Sequence, residues 1–175
     1  FENLEHHHTI LIDGEVHELD SEEYIYQIRY LARKQSCHTI TICISSPGGD
    51  VPLSLAIYDA LQAAKKEGKK VVCRGTGQVA SAASMILMQA GDHRTLTKNA
   101  LFHMHEPQST SWGAESTSEK TDRLKMQSFL TEVVYRICAE KSGKNLREMK
   151  KFVDRREVYL SAEEALKEGF IDEIE

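Results

Sequence analysis

Apolar residues along this chain follow two alternating patterns, short runs rich in β-branched residues and longer segments with helical spacing. The strand-like runs are 9–12, 39–44, 70–74, 95–97, 100–104, 158–160 and 170–174. Helical spacing begins after Asp20, which we expect to cap the first helix, and again at Pro52; it recurs over 81–90, 118–141, 145–152 and after Ser161. This β-α-β-α-β order predicts an α/β fold with a mainly parallel sheet and helices on its faces.

Two of the helical segments differ from an ordinary surface helix. Residues 81–90 have no polar face of useful width, so we expect this helix to be buried. Residues 118–141 form the longest helix, with a wide apolar stripe. We expect one domain over 9–175, preceded by a flexible tail at 1–8. The three histidines of that tail, 6–8, fit a tag remnant or a frayed end better than a metal site.

Composition and charge exclude several classes of protein. Apolar residues make up 41% and charged residues 28% of the 175, which excludes a disordered chain. The formal net charge of -5, without a basic block, argues against a nucleic-acid partner. The longest apolar run, 82–87, is too short to span a membrane. Because the cysteines are scattered, we expect reduced thiols and a cytoplasmic location; they are Cys37, Cys43, Cys73 and Cys138.

The sequence SPGG at 46–49 connects a predicted strand to a predicted helix. Two glycines allow positive φ angles and a close approach of the backbone to a ligand. Amide groups in such a loop can converge on an anion or on an oxyanion. A tight connection without any ligand explains the motif about equally well.

Ser81 lies at the next strand-to-helix junction, among small residues. Free N–H groups at the start of a helix favour a developing negative charge, so Ser81 is a candidate nucleophile, although the G-x-S-x-G pattern is absent. The alternative is a serine that only caps a buried helix, and the motif alone favours that interpretation. Ser84, one turn later, is the weaker candidate nucleophile because we expect it to point into the helix packing.

Two further segments carry candidates for acid–base chemistry. His103 and His105 share one face of a strand, and His105 precedes a proline-containing loop, a position that suits a general base. A metal site would need a third ligand, and no such residue lies at a spacing typical of one. For His103, packing or surface exposure is the favoured interpretation. Asp154 and Glu157 precede a short strand, where a carboxylate could orient an imidazole, although a solvated charge cluster is the simpler interpretation.

Taken together, these segments resemble one protein family in their order and context. The sequences SSPGGDV, IYDAL, GQVASAASM, AGDHR, FHMHEP and LSAEEALKEGFIDEI resemble the proteolytic subunit of the Clp protease, over residues 9–174. The resemblance implies a serine endopeptidase with a crotonase-like fold that hydrolyses peptides and unfolded proteins through an acyl-enzyme. It implies no metal and no cofactor in this chain, since ATP would be used only by a partner unfoldase.

The resemblance also implies roles for individual residues. It assigns Ser81 as the nucleophile, His105 as the general base, and the backbone N–H groups of Gly49 and Ala82 as the oxyanion hole. The acid of the family's triad lies four residues before the serine of LSAEEA. Glu157 occupies that position here, where the family usually has the shorter aspartate, and Asp154 is the fallback if the local turn shifts the register.

Assembly and partners follow from the resemblance in the same way. The family forms heptameric rings that stack in pairs as a tetradecamer, and the helix 118–141 resembles the handle helix that joins the rings. The loop 107–113, which contains Trp112, would lie beside the active site and the ring contact. Because the first predicted strand begins at residue 9, we expect the family's N-terminal axial segment to be absent or shortened, which bears on whether an AAA+ unfoldase docks. One residue more than usual lies between Ser81 and Gly91.

Two other functions stay open at this point. The first is a non-catalytic ring subunit of the same family, which the replacement of aspartate by Glu157 leaves open. The second is an acyl-CoA enzyme on the related crotonase fold, although those chains are longer and lack a Ser-His pairing of this kind.

Overall fold

A largely parallel sheet forms the centre of the computed structural model, which describes residues 7–108, 116–154 and 156–175. Its strands are β1 (Thr9–Asp13), β2 (Thr39–Ser46), β3 (Lys70–Ala80), β4 (His93–Leu96), β5 (Leu101–Met104), β6 (Val158–Leu160) and β7 (Glu173–Ile174). The α-helices are α1 (Glu18–Arg33), α2 (Val51–Lys66), α3 (Thr117–Ser142), α4 (Leu146–Val153) and α5 (Ala162–Lys167). Between β3 and β4 lies a buried helical segment, made of a π-helical turn (Ala83–Leu87) and a 3-10 turn (Met88–Ala90).

Strand β3 has two different neighbours on one side, and this splits the sheet. The main path runs in the order β1-β2-β3-β4-β7. The middle of β3 pairs with β4, whereas its last residues, from Gln78 to Ala80, pair with β5. Strand β6 pairs antiparallel with β5, and the other strand pairs are parallel. The prediction of an α/β fold with a mainly parallel sheet is therefore confirmed.

Strand β2 and helix α2 illustrate how the apolar pattern produces this architecture. Along β2, every second residue is fully buried, namely Ile40, Ile42 and Ile44. Helix α2 covers this part of the core with Ile57 and Leu61, which are also fully buried. Each such side chain contributes roughly 1.5–3 kcal/mol relative to full exposure, so the alternation fixes which face of the strand points inward.

Three local predictions differ from the structure. Helix α1 begins at Glu18, so Asp20 lies inside its first turn and the prediction that Asp20 caps the helix was wrong. The carboxylate still stabilises the helix there through the helix dipole. Strand β3 continues through Gly75 and Gly77, past residue 74 where the predicted strand ends. Gly75 still pairs with β2 and β4, and pairing resumes at Gln78 with β5 and at Val79 with β2. The segment after Ser81 is buried as predicted, but it forms π-helical and 3-10 turns instead of an α-helix.

The remaining sequence-based expectations concern the cysteines, membrane-spanning helices, the predicted loop with Trp112, the N-terminal tail and the domain boundary. All four cysteines are free, and burial raises the pKa of the Cys73 thiol to about 12. No helix among the described residues is long and apolar enough to cross a membrane. Trp112 with most of its predicted loop, and the tail before His7, lie outside the described residues. The single-domain boundary stays a prediction.

A buried ionic network joins the helical segment after Ser81 to the C-terminal part of the chain. The guanidinium of Arg94 donates to both carboxylate oxygens of Asp172, at 2.6 and 3.0 Å, and to Oε1 of Gln89 at 2.7 Å. The amide of Gln89 in turn donates to the carbonyls of Ser84, at 2.9 Å, and Phe170, at 3.3 Å. The network therefore fixes the turn that follows Ser81 relative to β4.

Replacement of Asp172 by asparagine tests this network, because it leaves the Arg94 charge buried without its counter-ion. We expect Asp172→Asn to lower the free energy of unfolding by about 2 kcal/mol at neutral pH, less than for a fully buried pair because the Asp172 side chain is 35% exposed. Hydrogen bonds from Arg94 hold the pKa of Asp172 below its usual range. The contribution is thus complete above the unfolded-state pKa of ~4 and is lost as the pH falls through the lowered native pKa. Urea unfolding at neutral and strongly acidic pH measures both effects.

Glu173→Gln serves as the matched control. Glu173 contacts His93 at 3.0 Å from a side chain that is 61% exposed, so we expect a loss of less than ~0.5 kcal/mol. Equal losses in the two variants would contradict the role assigned to the buried network.

Candidate active site

Ser81 follows directly on β3 and has a left-handed backbone. Its φ is 54°, one of two positive values among the non-glycine residues that the structure describes. Such a conformation costs about 1–3 kcal/mol and persists only where neighbouring contacts hold it. The N–H of Ser81 donates to the carbonyl of His103 at 3.0 Å, and the Ser81 carbonyl accepts from the N–H of Met85 at 2.9 Å. These two bonds fix the sharp turn that presents the Ser81 hydroxyl.

His105 lies next to this hydroxyl because of the pairing between β3 and β5. In that parallel pair Ala80 is in register with His103, so Ser81 and His105 both come just after the paired residues, at the same edge of the sheet. The distance between Ser81 Oγ and His105 Nε2 is 2.7 Å, a short hydrogen bond. The structure therefore brings the predicted nucleophile and the predicted general base into contact.

Ser84, the weaker candidate, has a different environment. It is fully buried, and its hydroxyl lies 2.9 Å from the carbonyl of Ser81 and 2.5 Å from that of His103. A hydroxyl held against two carbonyls in the core is not accessible to a substrate. Ser84 therefore supports the turn at Ser81. Its buried position agrees with the expectation that Ser84 is the weaker candidate nucleophile.

The loop between β2 and α2 packs against Ser81. A Cβ atom on Gly48 would lie only 2.7 Å from the Cβ of Ser81 and 2.9 Å from the N of Ala82. The φ angles of Gly48 and Gly49 are 102° and 144°, values that side-chain-bearing residues rarely adopt. This approach brings the loop and the first amides after β3 to one place.

The amide of Gly49 is left out of the pairing that anchors this loop. The N–H of Val16 donates to the Gly48 carbonyl at 2.7 Å, and the N–H of Asp50 donates to the Val16 carbonyl at 3.2 Å. This parallel bridge uses the groups on either side of Gly49 and not its own N–H. Gly49, Ser81 and Ala82 line the same cavity. The role of the Gly49 and Ala82 amides as an oxyanion hole, which the resemblance implies, stays a prediction.

Glu157, the predicted acid, contacts a different histidine from the one expected. Its Oε2 lies 2.5 Å from Nε2 of His103, so the carboxylate accepts the hydrogen bond from that imidazole. The Nδ1 atom of His105 is buried and has no hydrogen-bond partner among the described residues. The structure therefore forms two pairs, Ser81 with His105 and His103 with Glu157, and does not join Glu157 to His105.

His103 is the residue whose importance the sequence pattern understated. Its ring stacks with two others, with centroids 5.3 Å from that of His105 and 4.4 Å from that of Tyr159. Its side chain is only 13% exposed. The His-x-His spacing predicts that both imidazoles share one face, but it favours packing or surface exposure for His103 and does not predict the contact with Glu157.

Asp154, the fallback acid, belongs to a different cleft. It lines a cavity of about 690 Å³ between α3 and α4, together with Glu106 and Tyr135. Burial, with the charges of Glu106 and Asp154, raises the pKa of the Tyr135 phenol to about 12. Neither Ser81 nor His105 lines that cleft, whereas Glu157 contacts His103. Glu157 is therefore better placed than Asp154 to reach the imidazoles.

The cavity in front of Ser81 has a volume of about 510 Å³. Apolar side chains from the segment after Ser81 and from α3 line one wall, namely Met85, Ile86 and Val134. A neighbouring cavity of about 370 Å³ contains Glu157 and shares Pro107 and Gln108 with the first. Among the described residues, no cluster of three or more His, Cys, Asp or Glu side chains is placed to hold a metal ion.

Comparison with known proteins identifies relatives along the whole chain. The family model described as Clp protease matches residues 1–175. A protein of Streptococcus sanguinis named ATP-dependent Clp protease proteolytic subunit is 30% identical over 169 residues, which cover 94% of this chain and 83% of that protein. Proteins with the same name from Streptococcus mutans and Streptococcus equi subsp. equi are 28% and 29% identical, with the same coverage of 94% and 83%.

Gly48→Ala tests whether the loop between β2 and α2 must approach Ser81. The new Cβ would collide with Ser81 and with the carbonyl of Ala80 at 2.8 Å, so the loop and the Gly49 amide must move away. We expect the rate at which Ser81 reacts with a fluorophosphonate probe to fall by about 100-fold, the cost of one lost oxyanion donor. Labelling kinetics measure this, and circular dichroism checks that the fold is retained.

Gly14→Ala is the matched control for the strain of a positive φ. Gly14 has a φ of 82°, and a Cβ atom added there would have no other atom within 4 Å, so the substitution adds strain without a collision. We expect Gly14→Ala to label at the unchanged rate. A similar loss of labelling in both variants would show that strain, not the position of the loop, is responsible.

Proposed function

We propose that this chain, which belongs to the Clp protease family, is a serine endopeptidase subunit that hydrolyses peptides and unfolded proteins through an acyl-enzyme. The observation that carries the proposal is the 2.7 Å hydrogen bond between Ser81 and His105 at the cavity that the Gly48–Gly49 loop borders. A hydroxyl paired with an imidazole in this way is the arrangement that activates serine as a nucleophile.

In the proposed reaction each of these groups has a separate role. His105 Nε2 accepts the proton of the Ser81 hydroxyl as Ser81 Oγ attacks the peptide carbonyl. The N–H groups of Gly49 and Ala82 stabilise the oxyanion of the tetrahedral intermediate. His105 then gives its proton to the leaving amine, and a water molecule, activated by the same imidazole, hydrolyses the ester on Ser81.

Glu157 is the acid of the triad in this proposal. When His105 carries its second proton, Nδ1–H needs an acceptor, and a carboxylate there stabilises the imidazolium. Strand β6 is antiparallel to β5 with Met104 in register with Val158, and the same register, if continued by one residue, would set Glu157 opposite His105. Directly opposite residues in such a pair have Cβ atoms about 4.5–5.5 Å apart, within reach of a carboxylate.

We further propose that the chain assembles as heptameric rings stacked in pairs and works in the cytoplasm with an ATP-dependent unfoldase. Relatives are named as proteolytic subunits of an ATP-dependent protease. Helix α3 supports the contact between rings, because it exposes three large apolar side chains, Leu124, Met126 and Phe129, by 57%, 54% and 67%. Isolated apolar residues at the surface are ordinary, but three on one helix favour a contact with another subunit.

A non-catalytic ring subunit is the second candidate, and one observation favours it. The Nδ1 atom of His105 lacks an acceptor among the described residues, so the triad is incomplete in the arrangement that the structure shows. The two candidates differ in one measurable property, because only the enzyme reacts through Ser81. The family match gives the acyl-CoA alternative no support.

Ser81→Ala is the direct test of the proposed nucleophile. Removal of the attacking oxygen should lower kcat/KM for a fluorogenic peptide by about 1000-fold or more, since the triad members act as a unit. Light scattering should show an unchanged assembly. Ser84→Ala, the matched control, should keep most of the activity, because its hydroxyl only supports the turn. Equal losses from both variants would contradict the choice of Ser81.

Glu157→Gln and Asp154→Asn compare the two candidate acids. The glutamine cannot stabilise a charged His105, so we expect kcat to fall by about 100-fold. Asp154 lines the separate cleft beside Tyr135, so its replacement should leave kcat close to the wild-type value. Steady-state kinetics on both variants measure this, and the reverse ranking would move the acid to Asp154.

A further inference from the structure

We propose that His103 is a positioning residue that holds the Glu157 carboxylate away from His105, and so sets the fraction of molecules with a complete catalytic triad. This inference rests on the proposed function, because it concerns the acid of the same triad. It assigns a role to a histidine whose spacing alone indicated only packing or surface exposure.

The register between β5 and β6 puts Glu157 within reach of two imidazoles. Continued by one step, the register places Glu157 opposite His105, whereas His103 is its diagonal neighbour, in register with Tyr159. Diagonal neighbours have Cβ atoms about 7–8 Å apart, a span that a long side chain can bridge. The structure shows that the carboxylate takes the diagonal, with Oε2 at 2.5 Å from His103 Nε2.

Length explains why this side chain can make the diagonal contact. Glutamate has one methylene more than aspartate, and the Glu157 side chain is 50% exposed, so packing leaves it room to swing. Among the described residues its carboxylate has one hydrogen-bond partner, His103. An aspartate at the same position would be too short for the diagonal and would stay opposite His105.

The stack of rings holds His103 where it competes for the carboxylate. The plane of its ring makes an angle of 8° with that of His105 and of 18° with that of Tyr159. The backbone of His103 is fixed as well, because its carbonyl accepts from the N–H of Ser81 at 3.0 Å. His103 therefore offers an immobile N–H donor beside the position where the acid must act.

The contact between Glu157 and His103 is unfavourable for His105. A buried polar atom without a partner costs about 1–3 kcal/mol, and the Nδ1 atom of His105 has no partner among the described residues. Moving the carboxylate from His103 to His105 would satisfy Nδ1 but leave the imidazole of His103, which is 13% exposed, without its acceptor. The two arrangements are thus alternatives for one carboxylate, and activity scales with the fraction in the competent one.

His103→Phe tests the inference, because phenylalanine keeps an aromatic ring in the stack but has no N–H to offer. We expect kcat for a fluorogenic peptide to rise by about tenfold, with little change in KM, since more molecules carry the acid on His105. In a crystal structure of the variant, the Glu157 carboxylate should lie within hydrogen-bond distance of His105 Nδ1. A lower kcat, or a carboxylate that stays away from Nδ1, would overturn the proposal.

Two companion variants separate competition from a purely structural effect. In a Glu157→Gln background, His103→Phe should bring no gain, because the effect acts through the carboxylate, and a gain that persists there would overturn the proposal. Glu157→Asp should raise kcat in the same direction as His103→Phe without touching the ring stack; a fall in kcat would contradict the role of side-chain length. His103→Gln, which keeps a side-chain N–H donor, should gain less than His103→Phe.

These outcomes differ from a failure of the proposed function. If wild-type protein shows no hydrolysis that Ser81→Ala removes, the proposed function fails, and the position of the carboxylate in crystals of His103→Phe still decides the role of His103. If serine-dependent hydrolysis is present and His103→Phe lowers kcat, only the inference on His103 fails.

Discussion

The pairing of the end of β3 with β5 is the constraint on which the site depends. It sets Ala80 beside His103, ties the Ser81 N–H to the His103 carbonyl, and leaves Ser81 and His105 together where the two strands stop. The positive φ at Ser81 is held by these bonds, because the conformation is unfavourable by itself. A hydroxyl turned out of a strand end toward an imidazole on the neighbouring strand is therefore a consequence of sheet register, not of the local sequence around Ser81 alone.

Much of the architecture could be predicted from apolar spacing. Alternation in β2 and the apolar face of α2 dictate which side chains are buried, so the parallel sheet and its covering helices follow from the sequence. The two glycines of the SPGG loop predict a close approach of the backbone, and Gly48 has no room for a side chain against Ser81. Only the family resemblance predicts that Ser81 pairs with His105, because no spacing rule brings together residues 24 positions apart.

The features that could not be predicted are those that tertiary pairing decides. Strand β3 runs through Gly75 and Gly77 because the strand pairs with neighbours on both sides of this segment, with β2 and β4 up to Gly75 and with β2 and β5 from Gln78 on. This pairing outweighs the weak strand propensity of glycine. The partner of Glu157 depends on a choice between two imidazoles on one strand face, which differ only by a diagonal across the β5–β6 pair. The sequence indicates that Glu157 is the candidate acid and that both histidines lie on one strand. Only the side-chain geometry shows which imidazole the carboxylate contacts.

The central claim is that Ser81 attacks the substrate carbonyl as a nucleophile and that the amides of Gly49 and Ala82 stabilise the resulting oxyanion. The most direct measurement is a crystal structure of the protein after reaction with a fluorophosphonate. We expect a phosphorus atom bonded to Ser81 Oγ, with its phosphoryl oxygen within hydrogen-bond distance of both amides and with His105 beside the Ser81 oxygen. An unmodified Ser81, or an adduct whose phosphoryl oxygen points away from the Gly49 and Ala82 amides, would contradict it.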